Sequence, residues 1–403
     1  MLDLAIVGAG SAGISAAREA RRRGLDYAVL EASQRVGGRA RDAAWQRHHL
    51  DLGAGWLHSA ERNPLVSLAE HLDLRIDRAR SAWRSQYREL GFSDEERKAA
   101  YAAFSRFNER VSEPQPGDVA AAAMVPNGPW NAFIDALSGY LNGTSLSNMS
   151  AKDYAAYWDS STEHNWRLPS GYGALIATLA SGLRMEHGFR VDEIDWDGEH
   201  VRLTSERGSI AAGAAIVTVS TGVLASGAIR ILPPVDDRLD AAVQLPLGHV
   251  EKMFFSLEKA EEFPNDSHLM GNPHSSETGS YMLRPMGIPV VEGFFGGDWL
   301  ARGNIMDVEL LARKELGHLL GSDFGKRIGR IAHSDWKNDP RFGGSYSFAR
   351  PGHHSAREQL AKPVGGRLAF AGEACSKNDF ATVHGAWESG AIAVELLFGS
   401  ACQ

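Results

Sequence analysis

Two cysteines in 403 residues, Cys375 and Cys402, exclude a disulfide framework and point to a reducing, cytoplasmic location. Positive charge is not in excess either. Lys and Arg number 42 against 50 Asp and Glu, a net charge of −8, which speaks against a nucleic-acid or anionic-membrane partner. No apolar run is long enough to cross a bilayer: the charge-free stretch 208–229 is diluted by Gly, Ser and Thr, and its Ala215 to Val219 segment reads as a buried strand. A charged leader with a small-residue cleavage site is missing, because Leu2 to Val7 already reads as a strand, so no secretory signal is expected. There is no internal repeat and no Pro/Ser-rich linker, so domains are expected to interleave rather than follow in series.

What the chain has in abundance is glycine, 43 residues, above the usual share of roughly 7%. The first group of them is informative. A strand over Leu4 to Val7 enters Gly8-Ala9-Gly10-Ser11-Ala12-Gly13, an amphipathic helix ends at Gly24, and a second strand, Tyr27 to Leu30, ends at Glu31. This is the dinucleotide fingerprint in its full context. Gly8 permits the tight turn, Gly10 lets a pyrophosphate approach the backbone, and Gly13 lets helix and strand pack closely. The helix start offers free N–H groups and the positive end of its dipole. Glu31 suits the two ribose hydroxyls of an adenosine. The following Ser33-Gln34-Arg35-Val36-Gly37-Gly38-Arg39 suits a loop wrapped against phosphate, with Arg39 the better anion partner.

Further along, Ser93-Asp94-Glu95-Glu96 is a capping box opening a helix toward Val111, and helices are expected over 129–141, 175–183, 307–320 and 382–398. Strands are expected over 191–196, 200–205, 215–219, 249–257 and 367–371. In the strand 249–257, alternation puts Val250, Lys252 and Phe254 on one face.

Four segments carry a resemblance: Glu31 to Arg39; Asp51-Leu52-Gly53-Ala54-Gly55-Trp56-Leu57-His58; Phe370 to Ser376, containing Gly372 and Glu373; and Val383-His384-Gly385-Ala386-Trp387-Glu388-Ser389-Gly390. Together they resemble the flavin-containing amine oxidases, a family that includes monoamine, polyamine and some L-amino-acid oxidases. The resemblance implies an α/β fold: a Rossmann-like FAD-binding domain of the GR2 type, from residues 1–75, 171–245 and 364–403, interleaved with an α+β substrate domain from 76–170 and 246–363. It implies FAD in extended form, held by Glu31 at the ribose, Arg39 on the pyrophosphate side, Val191 at the adenine, Glu373 at the ribityl chain, and Thr382 with Val383 at the pyrimidine. Ser11, Ala12, Ala32, Arg35, Gly38 and Gly53 to Trp56 line the same molecule. No metal is needed.

The resemblance also implies the chemistry: hydride passes from the carbon beside an amine to flavin N5, the imine hydrolyses, and O2 is reduced to hydrogen peroxide. Lys252 matches the family lysine that holds a water at N5. Trp336 and Tyr346 match the aromatic walls of the substrate cavity, and His58, as in the polyamine branch, lies near the substrate nitrogen. Ser345 stands where monoamine oxidases carry their flavin-linking cysteine, so the FAD is expected to be non-covalent. Thr382 replaces the second cage tyrosine, with Phe380 a partial substitute, while His384 reads as a packing residue. Glu163, Glu277 and Asp298 are carboxylates available to a polycation, though no spacing ties them to the site. A shortened helical cover leaves three options: a more open site, a second copy of the chain completing it as a homodimer, or relaxed specificity. Amino-acid oxidase, amine dehydrogenase and a desaturase of the phytoene or protoporphyrinogen type are the alternative activities.

Overall fold

The structure, a computed structural model, describes residues 1–399; Cys402 lies outside them. Its strands are, in chain order, β1 (Leu2–Val7), β2 (Tyr27–Glu31), β3 (Asp42–Trp45), β4 (His48–Asp51), β5 (Met185–His187), β6 (Glu193–Asp195), β7 (Val201–Ser205), β8 (Gly208–Val217), β9 (Arg230–Leu232), β10 (Val250–Leu257), β11 (Ser267–Met270), β12 (Gly279–Leu283), β13 (Val290–Gly296), β14 (Ile328–His333) and β15 (Leu368–Phe370).

One sheet runs β5-β2-β1-β8-β7-β6-β9, with β15 also paired to β8. Its centre is parallel: β1 lies between β2 and β8, and β15 joins β8 with Leu368 opposite Ala215. Parallel strands are covered on both faces, which is why β1 reads as an unbroken apolar run. Leu4 and Ile6 point to one core with Ile14 and Ala17 of the Ser11–Arg22 helix, and Ala5 and Val7 to another with Val201 and Leu203. Strand β15, at Leu368–Phe370, therefore completes a sheet that β1 begins.

The second sheet is antiparallel, ordered β11-β12-β13-β10-β14, and all its strands fall between residues 250 and 333. One face packs on the Ile305–Leu320 helix through Phe255, Tyr281, Phe295 and Leu316. The other face looks into a large cavity between the two sheets. A helical cover, including Asp94–Val111, Asn131–Asn142 and Ala151–Ser160, packs around Phe104, Phe107, Phe133 and Tyr154. Ser93 and Glu96 form the capping box expected of them.

Several boundaries differ from the sequence reading. The strand expected from Val191 begins only at Glu193, and Val191 sits in the irregular segment before it. The helix expected over 175–183 is displaced toward its N-terminus, to Tyr172–Leu179. Strands β11 to β13 carried no strong period-2 signal, since Gly279, Gly293 and buried residues on both faces blur the alternation.

Candidate active site

The opening helix and the closing helix, Val383–Phe398, lie side by side with their N-termini together. Glycine makes this approach close. A Cβ on Gly390 would overlap the Ala12 carbonyl, and a Cβ on Gly13 would overlap the Gly8 carbonyl, so both contacts need a residue without a side chain. The Ser11 hydroxyl donates to the Val383 carbonyl at 2.9 Å and ties the two ends. Two dipole ends thus face one cavity of about 1500 Å³. That exceeds the roughly 300–1,000 Å³ of a pocket for one small ligand, and leaves room for a cofactor and a substrate together.

At the opening turn Gly8 has φ +103°, where only glycine sits without strain. Gly10 differs: its φ is −75°, and nothing lies within 4 Å of where its Cβ would stand. Packing does not require a glycine there. The open space beside it fits the expectation of a pyrophosphate meeting backbone there. Glu31 accepts from the Ala9 and Ser33 amides at 2.7 and 2.8 Å, so its carboxylate is fixed beside that turn. Arg39 reaches across 334 residues to Glu373 Oε1 at 3.1 Å and donates to the Ser345 carbonyl. Arg35, Arg41 and Arg341 add positive charge at the same end of the cavity, suited to a pyrophosphate.

Glu373 is fully committed to the protein: it also accepts from Ser347 N and Oγ and from Ala381 N. The neighbouring Arg39 and Arg357 guanidinium groups hold its carboxyl below the usual range despite burial. Thr382 caps the closing helix by accepting from Gly385 N at 3.0 Å, leaving the first amides of that helix aimed at the cavity. The residues singled out from the sequence for cofactor and catalysis all line this cavity, except Gly13, which packs beneath the turn.

At the other end Lys252 projects from β10, 7% exposed, with Nζ 3.1 Å from both the Asp51 carbonyl and Glu292 Oε1. Burial pushes the Asp51 carboxyl up to about 7. Trp336 is fixed from behind, because its backbone amide donates to Glu251 Oε1 at 2.9 Å, and Glu251 also accepts from Ser334. Gly53 lets the indole in: a Cβ there would lie 3.0 Å from its Cζ2. Tyr346 donates its hydroxyl to the Tyr140 carbonyl. His58 Nδ1 is 2.7 Å from Asn165 Oδ1, an acceptor only, so the proton sits on Nδ1 and Nε2 keeps a lone pair. Burial drops His58 to about 4, which makes it neutral at pH 7.

Two expectations need correction. Phe380 does not supply a second cage ring; it is buried over the Arg357 guanidinium, 3.6 Å from ring centroid to Cζ, and lies outside the cavity wall. Of the three carboxylates named for a polycation, Glu163 lines the cavity, but Glu277 pairs with Arg302 and Asp298 binds Thr144 and Ser145. His384 is the packing residue expected, 1% exposed and 3.1 Å from Asp379, which Arg62 also grips. No motif points to Glu292, Glu251 or Asn165, whose partners are set by cross-strand register and by distant loops.

The model for flavin containing amine oxidoreductases matches residues 11–397. The chain belongs to that family. It is 28% identical to lysine-specific histone demethylase 1 homolog 2 of Arabidopsis thaliana over 96% of its own length, and spans 57% of that relative. It is 28% identical to polyamine oxidase 3 of Oryza sativa subsp. japonica, covering 97% of this chain and 88% of that one. Cyclohexylamine oxidase from Brevibacterium oxydans IH-35A shares the fold, with a TM-score of 0.81 at 18% identity and 98% coverage of both chains. A flavin is therefore the cofactor, and this family member is an oxidoreductase acting on CH–NH groups. Among the described residues no cluster of three or more His, Cys, Asp or Glu could hold a metal, and no helix is long and apolar enough to cross a membrane.

Proposed function

We propose that this protein is an FAD-dependent amine oxidase, with the cofactor bound non-covalently and O2 as electron acceptor. The observation that carries the reading is that Lys252, Trp336, Tyr346 and His58 line the same cavity as the two converging helix N-termini. When bound, the flavin supplies a two-electron hydride acceptor. Glu31 and the amides after Gly10 hold its adenosine and pyrophosphate, and the start of the closing helix stabilises negative charge at its pyrimidine end. Trp336 and Tyr346 confine the amine, and neutral His58 accepts a hydrogen bond from the substrate nitrogen through Nε2. Ser345 carries no thiol, its hydroxyl donates to the Gly248 carbonyl, and burial lifts the Cys375 thiol to about 12, away from thiolate chemistry.

Charge pairing favours a substrate with one amine and an apolar body. The two carboxylates at the substrate end are both engaged, Glu292 with Lys252 at 3.1 Å and Glu163 with Arg80 at 3.6 Å. At the substrate end a second ammonium finds only these two carboxylates, Glu292 held by Lys252 and Glu163 on an exposed rim beside Arg80, whereas Phe92, Tyr101, Phe104, Phe133 and Tyr140 offer an aromatic wall. Arg84, over the Tyr101 ring at 5.6 Å with no acidic partner among the described residues, supports amino-acid oxidation as the second reading.

A peroxide-coupled screen over benzylamine, cyclohexylamine, diamines, spermidine, spermine and L-amino acids, run on protein whose flavin bands near about 370 and 450 nm are intact, tests both levels. Peroxide with single amines at kcat/KM at least tenfold above spermine is expected. A preference for spermine would overturn the single-amine reading alone; flavin bleaching without peroxide would overturn the oxidase.

A further inference from the structure

Lys252 has a charged partner that the family motifs do not announce. In the β10–β13 ladder Lys252 faces Phe294 and Phe254 faces Glu292, so Lys252 and Glu292 are diagonal neighbours on the cavity face. A diagonal pair is within reach of long side chains. Here the carboxylate closes the gap to 3.1 Å, and side-chain exposure is 8% for Lys252 and 22% for Glu292.

An ammonium has three N–H donors. The Asp51 carbonyl of β4 and the Glu292 carboxylate of β13 each take one, from different sides, and the third is left for the cavity. The Phe294 ring lies 5.9 Å from Nζ and adds a weak attraction for the cation. Room is made opposite by Gly55, where a Cβ would press on Nζ at 3.1 Å. The other ionisable groups facing the ammonium are the Asp51 carboxyl and His58. With His58 neutral and burial pushing the Asp51 carboxyl up to about 7, Glu292 is the carboxylate in direct contact that offsets the desolvation of Lys252. A lysine this buried is rarely left unpaired.

We propose that Glu292 is a positioning residue for oxygen reduction: through its ion pair it holds the Lys252 ammonium in place and fixes its free N–H toward the flavin site. The proposal rests on the amine-oxidase reading. In the step concerned, a bound reduced flavin would supply two electrons and its N5 proton, and water a second proton with release of hydroxide, so that O2 departs as H2O2. Lys252 stays an ammonium throughout and supplies positive charge where negative charge develops on oxygen. Glu292 touches neither flavin nor oxygen.

The test reduces the holoenzyme anaerobically with its best amine, then mixes it with O2 in a stopped-flow instrument. Glu292→Gln is expected to slow reoxidation at least tenfold while flavin reduction changes less than threefold, and Glu292→Asp to restore part of the loss. The double variant Glu292→Gln/Lys252→Met is expected to reoxidise no more slowly than Lys252→Met alone, as for residues acting in one unit. Reductive 13C-methylation gives a readout apart from turnover: the lysine resonance absent from Lys252→Met should titrate at least one pH unit lower in Glu292→Gln. Unchanged reoxidation, additive slowing, or an unmoved titration would each overturn the proposal. Normal reoxidation with a selective rise in KM for diamines would make Glu292 a substrate subsite instead. If no amine reduces the flavin, the functional reading fails while the titration still reports on the pair.

Discussion

Gly390 in the closing helix rests directly on the carbonyl of Ala12 in the opening helix, 378 positions earlier, with no space for even a methyl group between them. This contact sets how closely the two N-termini converge. Gly390→Val is expected to push the helices apart, at a cost of about 1–3 kcal/mol or more from forced backbone shifts. Purified variant should show a lower Tm and a flavin-to-protein ratio well below that of the wild type.

Gly10→Val separates cofactor space from fold. The backbone angle suits any residue, and a Cβ there would meet nothing within 4 Å, on a turn that lines the cavity. The apoprotein should keep its circular dichroism and its Tm within a few degrees, yet lose at least tenfold in flavin affinity, measured by fluorescence titration. Equal affinity would remove the turn from the cofactor site.

Lys252→Met should slow flavin reoxidation by roughly 10²-fold, the size of effect seen when one electrostatic donor is removed from a developing negative charge. The reductive half-reaction should be nearly untouched. Stopped-flow traces of the two halves, recorded separately, decide it.

Buried Glu251 behind Trp336 has its carboxyl raised to about 7 by desolvation. A carboxyl raised in the folded state binds protons more tightly there than in the unfolded chain, so its contribution is complete below about pH 4.5 and is lost as pH rises through about 7. Relative to Glu251→Gln, the wild type should therefore lose stability between pH 4.5 and 7, by about 3 kcal/mol at most. Urea midpoints of both proteins across that window test the sign; a parallel pair of curves would contradict it.

Asp153 and Arg357, 2% and 1% exposed in side-chain terms, form a two-pronged ion pair at 2.6 and 2.8 Å under Phe380. Asp153→Ala leaves a buried guanidinium without its counter-charge and should cost about 3–5 kcal/mol. Asp153→Asn, which keeps one acceptor, should cost less. Denaturant unfolding of the two variants measures the difference.

The dinucleotide turn and the start of the closing helix were legible because their chemistry is written in consecutive residues, although the capping role of Thr382 was not read: Gly8 to Gly13 and Val383 to Gly385 act where they stand. The Lys252 face was legible from strand alternation. Glu292 was not, since its meaning depends on how far β13 slides against β10, and a one-residue change of register would turn it away from the cavity. Phe380 misled for a related reason. Ala381 has φ +61°, a left-handed step that changes the direction of the chain between Phe380 and the helix, and no spacing rule announces it. Asn165 and Glu251 became visible only once loops and strands far apart in the chain were brought together.

The Arg39–Glu373 pair and the pairing of β15 with β8 also bear on biosynthesis. In synthesis the glycine turn precedes, by most of this sequence, the helix that opens at Val383. Until that helix is made the nascent polypeptide has half a nucleotide cradle and an open sheet edge beside β8. A chain stopped before Val383 is expected to hold flavin poorly and to associate through that edge.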